Sequence, residues 1–163
     1  MKQKKYLPVY GVGPVCVCLM VGLLLAGLFL RHAGVLNSGE IPALRVPFRI
    51  VGILLIAVGV YLWIQAVLVA KVGNAIRKNH LMTDGVYAWV RNPIYSAIGM
   101  ALTGIACLFF NLWFLLLPVL FWLDITLLMK YTEEKWLLNL YGEEYRAYCR
   151  NVNRCIPWFP KKR

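Results

Sequence analysis

The residues best equipped for chemistry lie close together, between His80 and Tyr95, in a segment reading His-Leu-Met-Thr-Asp-Gly-Val-Tyr-Ala-Trp-Val-Arg-Asn-Pro-Ile-Tyr. Arg91 offers a planar double donor suited to a carboxylate or phosphate, and His80 is a candidate general base. Asn92 presents a donor and an acceptor together, and Tyr87 and Tyr95 add aromatic faces with polar tips. A structural account covers part of the segment: Asp84-Gly85 as a turn, Asn92 as an N-cap, Pro93 at the first helical position. It leaves His80, Tyr87, Arg91 and Tyr95 unexplained, and so many polar groups beside apolar runs are costly unless they are used.

A second polar group comes later. Glu133 and Glu134 follow Thr132, and Trp136, Leu137, Leu140 and Tyr141 recur at helical spacing before Gly142. The pattern predicts a short amphipathic helix capped by Thr132 and ended by Gly142, then a further helical stretch from Glu143 through Tyr148 towards Arg150 and Arg154. Acids in a first turn meet the helix dipole favourably by ~0.3–1 kcal/mol, which alone accounts for Glu133 and Glu134. Glu143 and Arg146, three apart, read as a surface pair.

The elements that position these groups follow from composition. At 61% hydrophobic, 15% charged and mean hydropathy +0.65, the chain is too apolar for a soluble domain of 163 residues. We expect a single all-α integral membrane domain over residues 1–163, with about four transmembrane helices at 12–30, 48–72, 93–110 and 112–129 and the amphipathic helices as a C-terminal tail. Twenty residues at ~1.5 Å each cross a ~30 Å hydrocarbon layer. The first run exceeds a signal-peptide core and lacks a small-residue cleavage site, so it reads as a retained helix. Residues 93–129 are too long for one crossing and split as a tight hairpin at Asn111. Ala97 with Ala101, and Gly99 with Thr103, allow close helix approach.

The formal charge of +11 does not point to nucleic acid, because the basic residues flank apolar runs instead of lining one face. With both termini cytoplasmic, the inner segments hold every Lys and Arg except Arg31, Arg45 and Arg49. That arrangement puts the central loop and the tail on the same, cytoplasmic face.

The two motifs resemble those of the isoprenylcysteine carboxyl methyltransferase and phospholipid methyltransferase group of membrane enzymes. The matching positions are His80, Leu81, Thr83, Gly85, Tyr87, Arg91, Pro93 and Tyr95, then Glu133, Glu134, Gly142, Tyr145, Arg154 and Pro157. The likeness spans about residues 71–159, the expected catalytic region. Asn92 stands where isoprenylcysteine enzymes usually carry His, which is closer to phospholipid and bacterial members, and Ala97 replaces a usual Gly.

The resemblance implies S-adenosyl-L-methionine as methyl donor, bound by His80, Leu81, Gly85, Tyr87, Asn92, Tyr95, Glu133 and Glu134. It implies methyl transfer to the polar group of a membrane amphiphile, a lipid or prenylated small molecule. The nearest reading is carboxyl O-methylation of an isoprenylcysteine-type substrate, with phospholipid amine N-methylation as the alternative. Arg91 and Arg154 are the candidates to hold the acceptor's anion, and His80 or a tail glutamate to take a proton from an amine. No metal site is expected. Gly11-Val12-Gly13 precedes a membrane helix, not a strand-to-helix turn, so it is no dinucleotide fingerprint.

The remaining polar residues weigh less. Asp124 lies within the last membrane helix, where a carboxylate is a functional candidate by default. Gln65 reads as an interhelical hydrogen bonder, and His32 as an interfacial residue on the opposite face. The five cysteines form neither a metal pattern nor a disulfide framework. A non-catalytic lipid-binding or scaffold protein is the competing class.

Overall fold

The computed structural model describes residues 11–70 and 80–159, and it is helical with no strand among them. The basic residues Lys2, Lys4, Lys5, Lys71, Arg77, Lys78 and 161–163 lie outside the described residues, as do residues 71 and 72 of the expected second span.

Helix α1 runs Gly13–His32, started by Pro14 in its first turn and carrying Arg31 and His32 in its last, where the dipole favours them. Two single 3₁₀ turns lead to α2, Arg45–Ile64, which continues into a π-helical turn Gln65–Val69. After the polar loop come α3, Pro93–Cys107, a 3₁₀ turn Leu112–Leu116, and α4, Leu117–Tyr131. Two nine-residue helices close the chain: α5, Glu133–Tyr141, and α6, Glu143–Asn151.

Three stretches are long and apolar enough to cross a bilayer, namely Gly13–His32, Pro42–Val69 and Leu112–Tyr141, and Pro93–Cys107 is a shorter apolar helix. Boundaries differ from expectation by a few residues. The third helix ends at Cys107 instead of 110, and the fourth starts at Leu117 instead of 112. The hairpin at Asn111 is real but broader, because Phe110 takes φ +52° and Asn111 is fully buried. Asn111 Nδ2 donates to the Leu36 carbonyl at 2.8 Å while its Oδ1 accepts from Trp113 N at 3.0 Å. That pairing satisfies irregular backbone at the end of the bundle, where bare peptide groups would face hydrocarbon.

Helix α3 packs antiparallel on α2 through small residues. A Cβ on Gly52 would sit 2.7 Å from the Gly104 carbonyl, and one on Gly59 would sit 2.6 Å from the Ala97 carbonyl and 3.1 Å from Ala101 N. Gly52 and Gly59 are two turns apart, hence on one face. Ala97 and Ala101 therefore serve as the close-approach pair read from the sequence. The other pair does not: Gly99 faces Phe121 and Ile125 of α4, and Thr103 bonds back to the Gly99 carbonyl at 2.7 Å.

The main core lies where α1, α3 and α4 meet, with Cys16, Met20, Ala106, Phe121, Ile125 and Met129 buried. The outer faces expose Leu25, Phe29, Leu54, Tyr61, Val119 and Leu127 among many large apolar side chains. A continuous apolar surface of this extent is what a bilayer covers. Gln65 makes no interhelical hydrogen bond among the described residues and sits in the π turn. Asp124 Oδ2 accepts from Cys16 Sγ at 3.3 Å, tying α4 to α1.

Candidate active site

The loop before α3 and the strap after α6 lie side by side. Val90 and Asn153 form a parallel bridge, Arg91 N donates to the Asn153 carbonyl at 2.8 Å, and Asn92 N donates to the Arg154 carbonyl at 3.2 Å. Asn92 does not cap α3 with its side chain. Its Nδ2 instead adds a second donor to the Arg154 carbonyl at 3.1 Å. Ser96 Oγ donates to the Cys155 carbonyl at 2.6 Å, with the Asn92 carbonyl as the competing acceptor at 2.9 Å, so its one proton can tie α3 to the strap.

This seam delivers two arginines to one carboxylate. Arg154 Nε and Nη2 donate to Glu134 Oε1 and Oε2 at 2.6 and 2.9 Å, and Arg91 Nη1 stands 3.0 Å from Oε1. The side chains of Arg91 and Glu134 are 8% and 14% exposed, so the pair is largely withdrawn from water. Two guanidinium groups against one carboxylate leave a net positive charge. Glu134, through its hydrogen bond, raises the Arg154 pKa further and keeps it protonated. Arg91 Nε is buried without a hydrogen-bond partner among the described residues, while Nη1 also reaches Cys149 Sγ at 2.6 Å. A buried guanidinium donor left open is the kind of group a bound anion satisfies.

Glu133, one residue earlier on α5, points elsewhere, as a ~100° step per residue requires. Its Oε1 accepts from Tyr95 Oη at 3.0 Å and from Val12 N at 3.2 Å, joining α5 to the starts of α3 and α1. Gly11, at φ +49°, leaves room for this carboxylate, and a Cβ on Gly13 would lie 2.6 Å from Tyr95 Oη. The Gly-Val-Gly sequence thus serves close approach to two expected site residues. Thr132 does not cap α5: its hydroxyl bonds back to the Leu128 carbonyl. Gly142, at φ +57°, ends α5 as expected, and Glu143 pairs with Arg146 on the surface at 2.6 Å.

Tyr87 and Leu81 are buried, and the Tyr87 phenol lies near enough to Glu133 for that carboxylate to add to the effect of burial. Leu81 joins Tyr145, Tyr148 and Val152 in a small cluster, and Tyr148 Oη donates to the Tyr87 carbonyl at 2.5 Å. Burial pushes the Tyr87, Tyr145 and Tyr148 phenols up, so they stay neutral. Gly85, at φ +55°, starts the 3₁₀ turn Gly85–Ala88 with open space around it.

Arg91, Asn92, Glu134 and Arg154 are therefore brought into one cluster, with Tyr95 and Glu133 beside it. His80 and Gly85 are exposed and outside both sets. Cys149, Ser96, Tyr148 and the Asn153 carbonyl belong to the assembly and were not legible beforehand. Only Gly11-x-Gly13 carried a signal.

A family model described as phospholipid methyltransferase matches residues 48–144. No curated protein and no solved structure matches the chain. The matched stretch takes in most of α2, the polar loop, α3, α4 and α5, hence Arg91 and both site glutamates. It covers more than half of the chain, which thus belongs to the phospholipid methyltransferase family of membrane proteins.

Proposed function

We propose that the protein transfers a methyl group from S-adenosyl-L-methionine to the polar group of a membrane amphiphile, at the end of the bundle where loop and strap meet. The observation that carries this reading is the Arg91–Glu134–Arg154 cluster, of which Arg91 and Glu134 fall inside the family-matched residues 48–144 and Arg154 just beyond them. The donor set suits the cofactor. Arg91 Nε is an open donor for a carboxylate. Glu133 has one oxygen not engaged among the described residues, for an ammonium or ribose hydroxyl. When bound, the cofactor supplies an activated methyl on a sulfonium, whose departure needs no acid.

The chain's own work is then alignment and exclusion of water. Glu134 fixes the plane of Arg154 with two hydrogen bonds and holds Arg91 by one ion-pair contact, so that neither must be ordered on binding. Arg91, carrying the unbalanced charge, orients an anion. Tyr95 and Glu133 close the start of α1 over α3 and α5. For an amine acceptor a proton must leave; Glu133, beside the cluster with one oxygen not engaged among the described residues, is the tail glutamate placed to take it, while His80 stands exposed outside the cluster. A carboxylate acceptor needs no base.

The amine headgroup of a phospholipid is the first acceptor class, because its phosphate sits beside the amine and fits the excess positive charge. The isoprenylcysteine carboxylate is the second reading, favoured by the guanidinium donor of Arg91. We place this end on the cytoplasmic side from the distribution of basic residues. The test is transfer of labelled methyl from S-adenosylmethionine to each acceptor class by the reconstituted protein. Label in aminophospholipid supports the first, label in prenylcysteine the second, and label in neither overturns the reading.

A further inference from the structure

The strap does not stop at Arg154. Residues 156–159 continue along the loop: Trp158 N donates to the Trp89 carbonyl at 3.1 Å, and the Trp89 and Phe159 rings stand 5.4 Å apart, tilted at 45°. These side chains are held yet uncovered. Trp89 is 46% exposed, Ile156 58%, Trp158 66% and Phe159 70%. A backbone fixed by hydrogen bonds that displays four large apolar side chains wants a cover.

The cover is specified by position and charge. The group sits at the loop-and-strap end of a bundle whose outer faces are apolar, the level at which a spanning bundle passes through the headgroup layer. Tryptophan combines an apolar body with an N–H and favours the headgroup layer over both water and acyl chains. The sequence then continues Pro160-Lys161-Lys162-Arg163, three cations directly after the aromatic residues. Basic residues beside an interfacial aromatic group match an anionic leaflet.

We propose that Trp89, Ile156, Trp158 and Phe159 form a docking surface for the headgroup layer of an anionic membrane leaflet, on the side of the bundle that carries the site. Docking there holds the strap, and with it Arg154, against the loop. The inference stands whether or not the protein transfers methyl groups.

The test uses the full-length protein in lipid nanodiscs, with tryptophan fluorescence as readout. Lipids spin-labelled at the headgroup are expected to quench a component that is lost in Trp158→Phe, and water-soluble iodide is expected to leave that component largely untouched. Removing the tail charges (Lys161→Ala, Lys162→Ala, Arg163→Ala) should weaken docking only where the disc contains phosphatidylserine, by roughly fivefold in the docking equilibrium per charge. Trp158 quenched by iodide and not by labelled lipid would mean that the surface faces water or a soluble partner, and would overturn the proposal. So would tail-charge removal without effect in anionic discs.

Discussion

Arg154 grips Glu134 with two parallel hydrogen bonds, at 2.6 and 2.9 Å, across twenty residues of chain. This contact locks the strap to α5, and through Oε1 it also holds Arg91 of the loop. Removing Glu134 would strand two guanidinium groups at a site largely withdrawn from water. Breaking such a pair from one side costs about 3–5 kcal/mol. Glu134→Ala is therefore expected to lower the thermal midpoint in detergent and to weaken S-adenosylmethionine binding. Arg154→Lys, which keeps the charge but loses the planar double donor, should fall between Glu134→Ala and the wild type in both measurements.

Glu133 and Tyr95 make a separable prediction. Tyr95→Phe removes one hydrogen bond, about 1 kcal/mol. Gly13→Ala puts a methyl into the space of Tyr95 Oη and should cost more, about 1–3 kcal/mol as overpacking. Because both act on the same atom, the double variant should be more stable than the sum of the singles, and a thermodynamic cycle measures the difference.

Glycines at the α2–α3 contact and on the lipid face should respond oppositely to a side chain. Gly59→Val and Gly104→Val drive a side chain into the backbone of the facing helix, within 2.6 and 2.5 Å, and are expected to prevent a monodisperse preparation. Gly22→Ala meets nothing within 4 Å and should raise the midpoint, since alanine in a helix interior is favoured over glycine by ~0.5–1 kcal/mol. Size-exclusion profiles and thermal melts check both.

Asn111 is the polar keystone of the opposite end. Asn111→Leu leaves the Leu36 carbonyl and Trp113 N without their partner, a loss of about 1–3 kcal/mol per buried group. Asn111→Asp keeps the acceptor for Trp113 N but puts a carboxylate at a fully buried position against the Leu36 carbonyl, so at neutral pH it should lower the midpoint at least as far as Asn111→Leu.

Much of this was legible in the sequence, and the reasons are physical. Apolar runs announce membrane helices because lipid tolerates little else, and Gly142 and Pro93 mark boundaries through backbone geometry alone. The polar loop and the acidic helix could be assigned to one end by charge distribution. What stayed hidden is which side chain meets which. Asn92 and Thr132 read as caps because capping is a local habit, yet long-range partners took the first and the preceding turn took the second. Glu133 and Glu134 look equivalent on paper and diverge because adjacent helical residues face different neighbours. The end of α3 and the start of α4 moved because Asn111 finds its partner seventy-five residues away, a contact that no local pattern encodes.

Binding of S-adenosylmethionine at this end of the bundle is measured by calorimetry on the purified, reconstituted protein. Saturable binding that is weakened roughly tenfold or more by Glu134→Ala and by Arg91→Ala, as loss of a charge-assisted contact implies, is the expected result. A folded, monodisperse wild-type sample that binds no S-adenosylmethionine at any concentration would contradict the account.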